Sequence, residues 1–202
     1  MEHTLYINLL HRTDRKEECE NEFKPLNVDA VRVEAISHPN GALGCSLSHI
    51  KCIQLAKKNK WSRVCICEDD IMFTDPSALL ASLDLFLKSG IHWDVLLLGA
   101  NIAPPYSKVT DHWMKVSNAQ TTTGYIVNEH YYDTLLENFM VGVSNKYPID
   151  IYWKVLQRDD WYILLPLSVT QRPSYSNIEN RMVNYTAAML NDKMYLNTSS
   201  IK

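Results

Sequence analysis

The stretch Arg63-Val64-Cys65-Ile66-Cys67-Glu68-Asp69-Asp70 decides how the chain is read. Its first five residues alternate apolar with small or polar side chains, the period of a buried or half-buried strand. Three consecutive carboxylates then close it. At the end of a strand such groups repel one another unless a cation or hydrogen-bond donors compensate. A divalent ion holding a diphosphate would compensate, since magnesium and manganese favour carboxylate oxygen and bridge it to phosphate. A solvated acidic turn is the alternative reading of the triplet.

Outward from this strand, helical and extended patterns alternate. Thr4 to Leu10 reads as a first strand, and Asp14 to about Asn27 as a charged surface helix ended near Pro25. Asp29 to Ile36 reads as a second strand, and Leu43 to Lys60 as an amphipathic helix with lysines at its C-terminal end. Asp75-Pro76 marks a capped helix start running to about Lys88, with Gly90 just beyond. The apolar run Trp93 to Gly99 has the pattern of an interior strand. Thr122 to Val127 predicts a strand, Glu129 to Asn138 a helix, Ile149 to Gln157 a short helix, and Trp161 to Leu165 a late strand. This order predicts an α/β fold, one domain over residues 1–202 with a mainly parallel central sheet flanked by helices, and a loosely packed tail from about 184 to 202. Ligands of such sheets sit beyond the carboxyl ends of the strands, where Glu68 to Asp70 would lie.

The 202 residues suffice for one well-buried domain, and 46% hydrophobic content with a formal charge of -3 fits a soluble globule. That charge, with no basic block, argues against nucleic acid as a partner. No apolar stretch approaches the length of an integral membrane segment, and the first residues lack an export signal. The expected location is cytoplasmic, with any membrane contact peripheral. The five cysteines then read as thiols.

Other constellations carry chemistry beside a plainer alternative. Asn8, Arg12 and Arg15 follow the first strand; guanidinium forks suit phosphate and Asn8 suits a base or ribose, while charges in water explain them equally. Cys45, His49 and Cys52 fall on one helical face, and Cys65 and Cys67 on one strand face, so a zinc site is one reading and buried thiols the other. Asp150, after Pro148 and among aromatics, reads as a helix cap or as a general base.

Taken in order, these segments resemble glycosyltransferase family 25, which includes lipooligosaccharide and procollagen galactosyltransferases. The resemblance rests on Ile7-Asn8-Leu9 with Arg12 and Asp14-Arg15, on Gly44-Cys45 with Ser48-His49, and on Glu68-Asp69-Asp70. It continues through Trp93-Asp94 with Leu98-Gly99, Thr123-Gly124-Tyr125, Pro148-Ile149-Asp150, and Gln171 with Ser176 and Ile178. Asn177 departs from it, standing where many relatives have an acid. The resemblance implies a GT-A-like fold, a UDP-sugar donor, usually Mn2+ (or Mg2+), and transfer of a hexose, most often galactose, with inversion. It implies Glu68 and Asp70 as metal ligands and Asp150 as the base. Asn8, Arg12, Arg15, Ser48, Asp69 and Gln171 are then the residues around the donor. The acceptor would be a glycan, a lipid-linked glycan or a protein hydroxyl. A metal-dependent nucleotidyl or phosphoryl transferase and a non-catalytic sugar- or nucleotide-binding domain of the same fold are the alternatives.

Overall fold

The computed structural model describes residues 1–176 and 181–191. Asn177 and Ile178, and most of the predicted tail, lie outside the described residues. Strand β3 (Arg63–Glu68) sits inside a sheet of eight strands. On one side it pairs in parallel with β1 (Thr4–Asn8), which pairs in parallel with β2 (Ala30–Glu34). On the other side it pairs antiparallel with the long β8 (Ala119–Asn128), which continues antiparallel to β5 (Val95–Ile102). Then come β9 (Trp161–Leu164), parallel to β5, and β7 (Trp113–Val116) and β6 (Tyr106–Lys108), each antiparallel to its neighbour. Six of the eight strands therefore share one direction, and β8 and β7 run against them. The sheet is mainly parallel in strand direction, as the alternating pattern predicts.

Alternation in β3 separates two packed layers. Val64 and Ile66 join a cluster with Ile50 and Ile53 of α2 (Gly41–Lys58) and Leu135 and Phe139 of α4 (Tyr132–Ser144). Cys65 and Cys67 face the opposite cluster, with Cys19 and Phe23 of α1 (Thr13–Phe23) and Leu79, Leu83 and Phe86 of α3 (Pro76–Lys88). Both faces of the strand are thus buried, as a covered α/β sheet requires. The largest side chains of the first layer are Trp153 and Trp161, whose rings meet edge-on at 5.1 Å. Trp153 also stands edge-on to Tyr125 at 5.6 Å. Such contacts add to the area these rings bury.

Several local signals are realised. Asp75 Oδ1 accepts the Ala78 amide at 2.9 Å, with Pro76 in the first turn, and Gly90 adopts φ +72° just past Ser89. α1 stops at Phe23 and hands over to a 3₁₀ turn, Lys24–Leu26, that holds Pro25. The short helix near Asp150 is α5 (Ile149–Tyr152), continued by a 3₁₀ turn over Trp153–Leu156. Other elements escaped the pattern. β4 (Ile71–Phe73) follows the acidic triplet and pairs with β10 (Val169–Gln171), and β11 (Ser174–Ser176) pairs with β12 (Arg181–Val183). A last helix, α6 (Thr186–Met189), buries Met189. Strands of three residues hold too little pattern to stand out from loops. Yet β10 brings Gln171 to the triplet, so these pieces complete the sheet edge.

Candidate active site

Glu68, Asp69 and Asp70 emerge from the carboxyl end of β3 into a cleft of about 560 Å³. The cleft opens between the ends of β1 and β3, the start of α2, the start of β8, and α5. The three neighbouring acids have three different surroundings.

Glu68 is held by donors. Its Oε1 accepts from Thr122 Oγ1 at 2.6 Å and lies 3.4 Å from His49 Nε2 and 3.6 Å from Cys45 Sγ. Its Oε2 accepts from Gln171 Nε2 at 3.0 Å. Burial pushes this carboxyl up, but the contacts from His49, Thr122 and Cys45 outweigh it and leave the pKa lowered. His49 is itself fixed from the core, with Nδ1 at 3.0 Å from the Tyr125 hydroxyl. The carboxylate of Glu68 can only accept, so the imidazole presents an N–H at Nε2 toward it, while the Tyr125 hydroxyl holds the other ring nitrogen. Packing thus runs from Trp153 through Tyr125 and His49 to Glu68.

Asp69 lines the cleft too, but both its oxygens are engaged. Asn8 Nδ2 donates to its Oδ2 at 2.7 Å and Arg15 Nη1 to its Oδ1 at 2.9 Å. Arg15 also reaches Ser174 Oγ at 2.7 Å, binding α1 to β11.

Asp70 is the least compensated of the three. Arg15 Nη1 is 3.6 Å from Oδ2 and Gln171 Nε2 is 3.5 Å from Oδ1. Burial and the charges of Glu68 and Asp69 raise its pKa to about 8. A single amide, that of Gln171, lies between Glu68 Oε2 and Asp70 Oδ1. A hard divalent cation fits the same place: the available atoms are carboxylate oxygens, and their mutual repulsion is what a cation relieves.

Asp150 lines the same cleft. It is no cap: Pro148 occupies the N-cap of α5, and no side chain caps that end. Instead Asp150 Oδ2 accepts the Thr121 amide of β8 at 3.2 Å. Burial, then the Glu68 charge, raises its pKa. The capping reading therefore fails because the carboxylate turns back to the sheet. Thr121 itself has φ +87°, unusual for a β-branched residue, and strain of this kind persists where the surroundings enforce it. Asn101 Nδ2 supports the Thr121 hydroxyl at 2.8 Å.

The structure thus gathers Glu68, Asp70, Gln171, Arg12, Arg15 and Asp150 on one cleft. Asn8 is a correction to the sequence reading. It is buried, outside the cleft lining, and both ends of its amide are engaged: Nδ2 on Asp69 and the Arg12 carbonyl, Oδ1 by Arg32 Nε at 3.0 Å. It orders the loop after β1 and has nothing left for a base or ribose. Ser48 touches the cleft, but its hydroxyl donates to Gly44 O at 2.7 Å and accepts the Ile36 amide at 2.8 Å. Its geometry is that of a clamp between α2 and the loop after β2. Gly44 serves the same approach, since a Cβ there would lie 2.6 Å from Ile36 O. Arg12 is paired with Asp14 through Nε and Nη2 at the rim. The suggested cysteine cluster divides: Cys45 and His49 meet Glu68, Cys52 lies in the core, and Cys65 and Cys67 touch each other at 3.7 Å. Burial and the Glu68 and Asp150 charges hold the Cys45 thiol well above its usual pKa, which disfavours a thiolate.

Sequence reasoning missed Thr122 and Asn101. The run Gln120-Thr121-Thr122-Thr123, polar inside an otherwise apolar strand, was the available signal for Thr122; Asn101 had none.

Residues 38–153 match the family described as Glycosyltransferase family 25 (LPS biosynthesis protein), more than half of the chain. The chain belongs to this glycosyltransferase family. The family match spans α2, the acidic triplet and Asp150, so it contains two sides of the cleft. No curated protein matches the chain in sequence. Among solved structures, A197 from STIV superposes with a TM-score of 0.53 at 10% identity, covering 91% of this chain and 93% of the other. A glycosyltransferase involved in glycosylation of the major capsid of PBCV-1 gives 0.43 at 9% identity, covering 82% and 93%. A Drosophila β-1,4-galactosyltransferase 7 mutant with manganese, UDP-Gal and xylobiose gives 0.41 at 9% identity, covering 98% and 74%. The architecture of this family 25 member is α/β, a mainly parallel sheet flanked by helices.

Proposed function

We propose that the chain is a metal-dependent, inverting hexosyltransferase that uses a UDP-sugar, with UDP-galactose the first donor to test. One observation carries the reading: Glu68, Asp70 and Gln171 meet in a cleft that also presents the half-buried, raised-pKa Asp150. The galactosyl choice rests on the family resemblance alone.

Glu68 Oε2 and Asp70 would hold Mn2+ or Mg2+, which supplies the charge that lets a diphosphate leave without a proton. Thr122, His49 and Tyr125 keep Glu68 ionised and oriented. Arg12 would exchange Asp14 for a donor phosphate, because its fork lies at the rim and suits phosphate geometry. Arg15, already shared among Asp69, Ser174 and the Tyr175 carbonyl, orients the triplet. Asp150 would accept the proton of the acceptor hydroxyl as that oxygen attacks the anomeric carbon. A raised pKa brings a carboxylate nearer the working pH, which favours general-base catalysis. The acceptor would be a glycan, lipid-linked glycan or protein hydroxyl. Among the described residues no helix is long and apolar enough to cross a membrane.

The test needs no acceptor. A panel of UDP-sugars is incubated with the protein and Mn2+, and slow hydrolysis is followed. Release of UDP from one donor, stopped by a chelator, is the expected result. Release of pyrophosphate with a nucleoside triphosphate and a sugar phosphate would instead mark a nucleotidyltransferase. No turnover and no thermal shift with UDP plus Mn2+ would mark a domain without the nucleotide site.

A further inference from the structure

We propose that His92, Asp94 and His130 form a second metal site, for zinc or a similar transition ion, at the sheet edge opposite the cleft. Each of the three offers a ligand atom, and these atoms all lie within 4.8 Å of one another. Asp94 immediately precedes β5, and His130 lies in the turn after β8. Since β5 and β8 are antiparallel, both residues fall at the same edge. Asn101, on the cleft, is seven residues along β5 from Asp94, about 23 Å at the rise of an extended strand. This site is separate from Glu68 and Asp70, and the inference does not rest on the proposed transfer reaction.

The carboxylate is fixed in advance. Asp94 Oδ2 accepts the Asp160 amide at 2.9 Å, its own amide donates to Asp160 O at 2.9 Å, and its carbonyl accepts the Asn128 amide at 3.2 Å. That leaves Oδ1, which lies 2.8 Å from His130 Nε2. Two donor atoms of a shared tetrahedral ion stand about 3.4 Å apart, given metal–ligand bonds of about 2.0–2.2 Å, so the exposed His130 ring would draw back by about 0.6 Å to admit one. An ion there replaces the hydrogen between Nε2 and Oδ1, and the ring keeps its proton on Nδ1. His92 completes the trio, its ring 5.3 Å from that of His130. Asp160 supports it from behind: Oδ2 is 3.0 Å from His92 Nδ1, while Oδ1 accepts from Lys115 at 2.8 Å. A carboxylate on the back of a histidine is a common outer partner of metal sites.

The donor set chooses the ion. Two imidazoles and one carboxylate suit zinc and cobalt, whereas the oxygens of Glu68 and Asp70 suit manganese and magnesium. Three protein ligands leave a fourth position for water. The ion would tie the start of β5 to the end of β8, and through Asp160 to the start of β9, so its expected effect is on stability.

The full chain is titrated with Co2+, followed by visible absorption, and melted with and without Zn2+. The expected result is one Co2+ with the ligand-field bands of a tetrahedral site, no thiolate charge-transfer band, and a rise in Tm with Zn2+. His92 and His130 are the exposed ligands, with side chains 70% and 49% accessible, so their alanine variants should fold. Each is expected to weaken Co2+ binding by at least about tenfold, the scale on which such sites respond even to outer partners. Asp70→Asn should bind Co2+ like the unaltered chain. Absence of the bands with no Zn2+ effect on Tm would overturn the proposal. So would bands that survive both histidine variants, loss of binding in Asp70→Asn, or a thiolate band, which would put the ion at Cys45.

Discussion

The two edges of the sheet both gather acids, and they treat charge in opposite ways. At the edge away from the cleft, Asp160 is matched by Lys115 and His92, and Asp94 by His130 and an amide. Those groups are balanced as they stand, and an ion enters only in place of a hydrogen. At the cleft edge one guanidinium, that of Arg15, is within contact of Asp69 and Asp70, while Glu68 has the His49 imidazole and Asp150 the more distant charge of Lys154. Burial there raises Asp70 and Asp150. The comparison separates a balanced edge from one left short of positive charge, and a shortage of this kind is a reason to look for chemistry.

The comparison breaks first at Asp150. Asp150→Asn keeps size but cannot accept a proton, so turnover should fall by about 100- to 10,000-fold with UDP affinity unchanged. Steady-state kinetics beside calorimetry checks this, and a wild-type rate would move the search for the base to another acid. Asp150→Ala loses no helix cap but leaves the Thr121 amide without its acceptor, so its Tm should fall. Asp150→Asn, which can still accept, should keep its Tm; an equal fall in both would point to a structural role for the charge.

Next in size is Arg12. Arg12→Ala removes one charge-assisted contact, worth about 1.5–3 kcal/mol, from nucleotide binding. Arg12→Lys should recover part of it, since a point charge lacks the fork. Equal UDP affinity in all three proteins would reduce Arg12 to the partner of Asp14.

Smaller still is Ser48, which the cleft edge uses as a clamp. Ser48→Ala leaves the half-buried Ile36 amide without its acceptor and should cost about 1–2 kcal/mol in denaturant unfolding. Nucleotide affinity measured on the folded fraction should change less than in Arg12→Ala. The reverse pattern, with intact stability and lost affinity, would make Ser48 a ligand.

How much of this was legible follows the length of each signal. β3, α2, α3 and the run into β5 were readable because each carries several residues of one period or a cap with proline. The acids at the end of β3 were readable because a parallel sheet puts its ligands there. The roles of Asn8, Ser48 and Asp150 were not, because they turn on which way one side chain points. Asn8 ends β1 and Arg15 follows it, and no local pattern directs Arg15 to Asp69. Gln171 reached the site through β10, a strand too short to read, and was found through the family pattern alone.

The central claim is that Glu68 and Asp70 need a cation, and pH exposes it most directly. An acid whose folded pKa lies near 8, against an ordinary value of 3.8, is more protonated folded than unfolded between those values. Its ionisation therefore costs the metal-free protein stability as pH rises through that window. The measurement is Tm from pH 5 to 8 for wild type and Asp70→Asn, each with and without Mn2+ and UDP. The account predicts that, without metal, wild type loses stability with rising pH relative to Asp70→Asn. It further predicts that Mn2+ with UDP raises Tm in wild type alone. Parallel curves for the two proteins, or an equal Mn2+–UDP shift in Asp70→Asn, would contradict it.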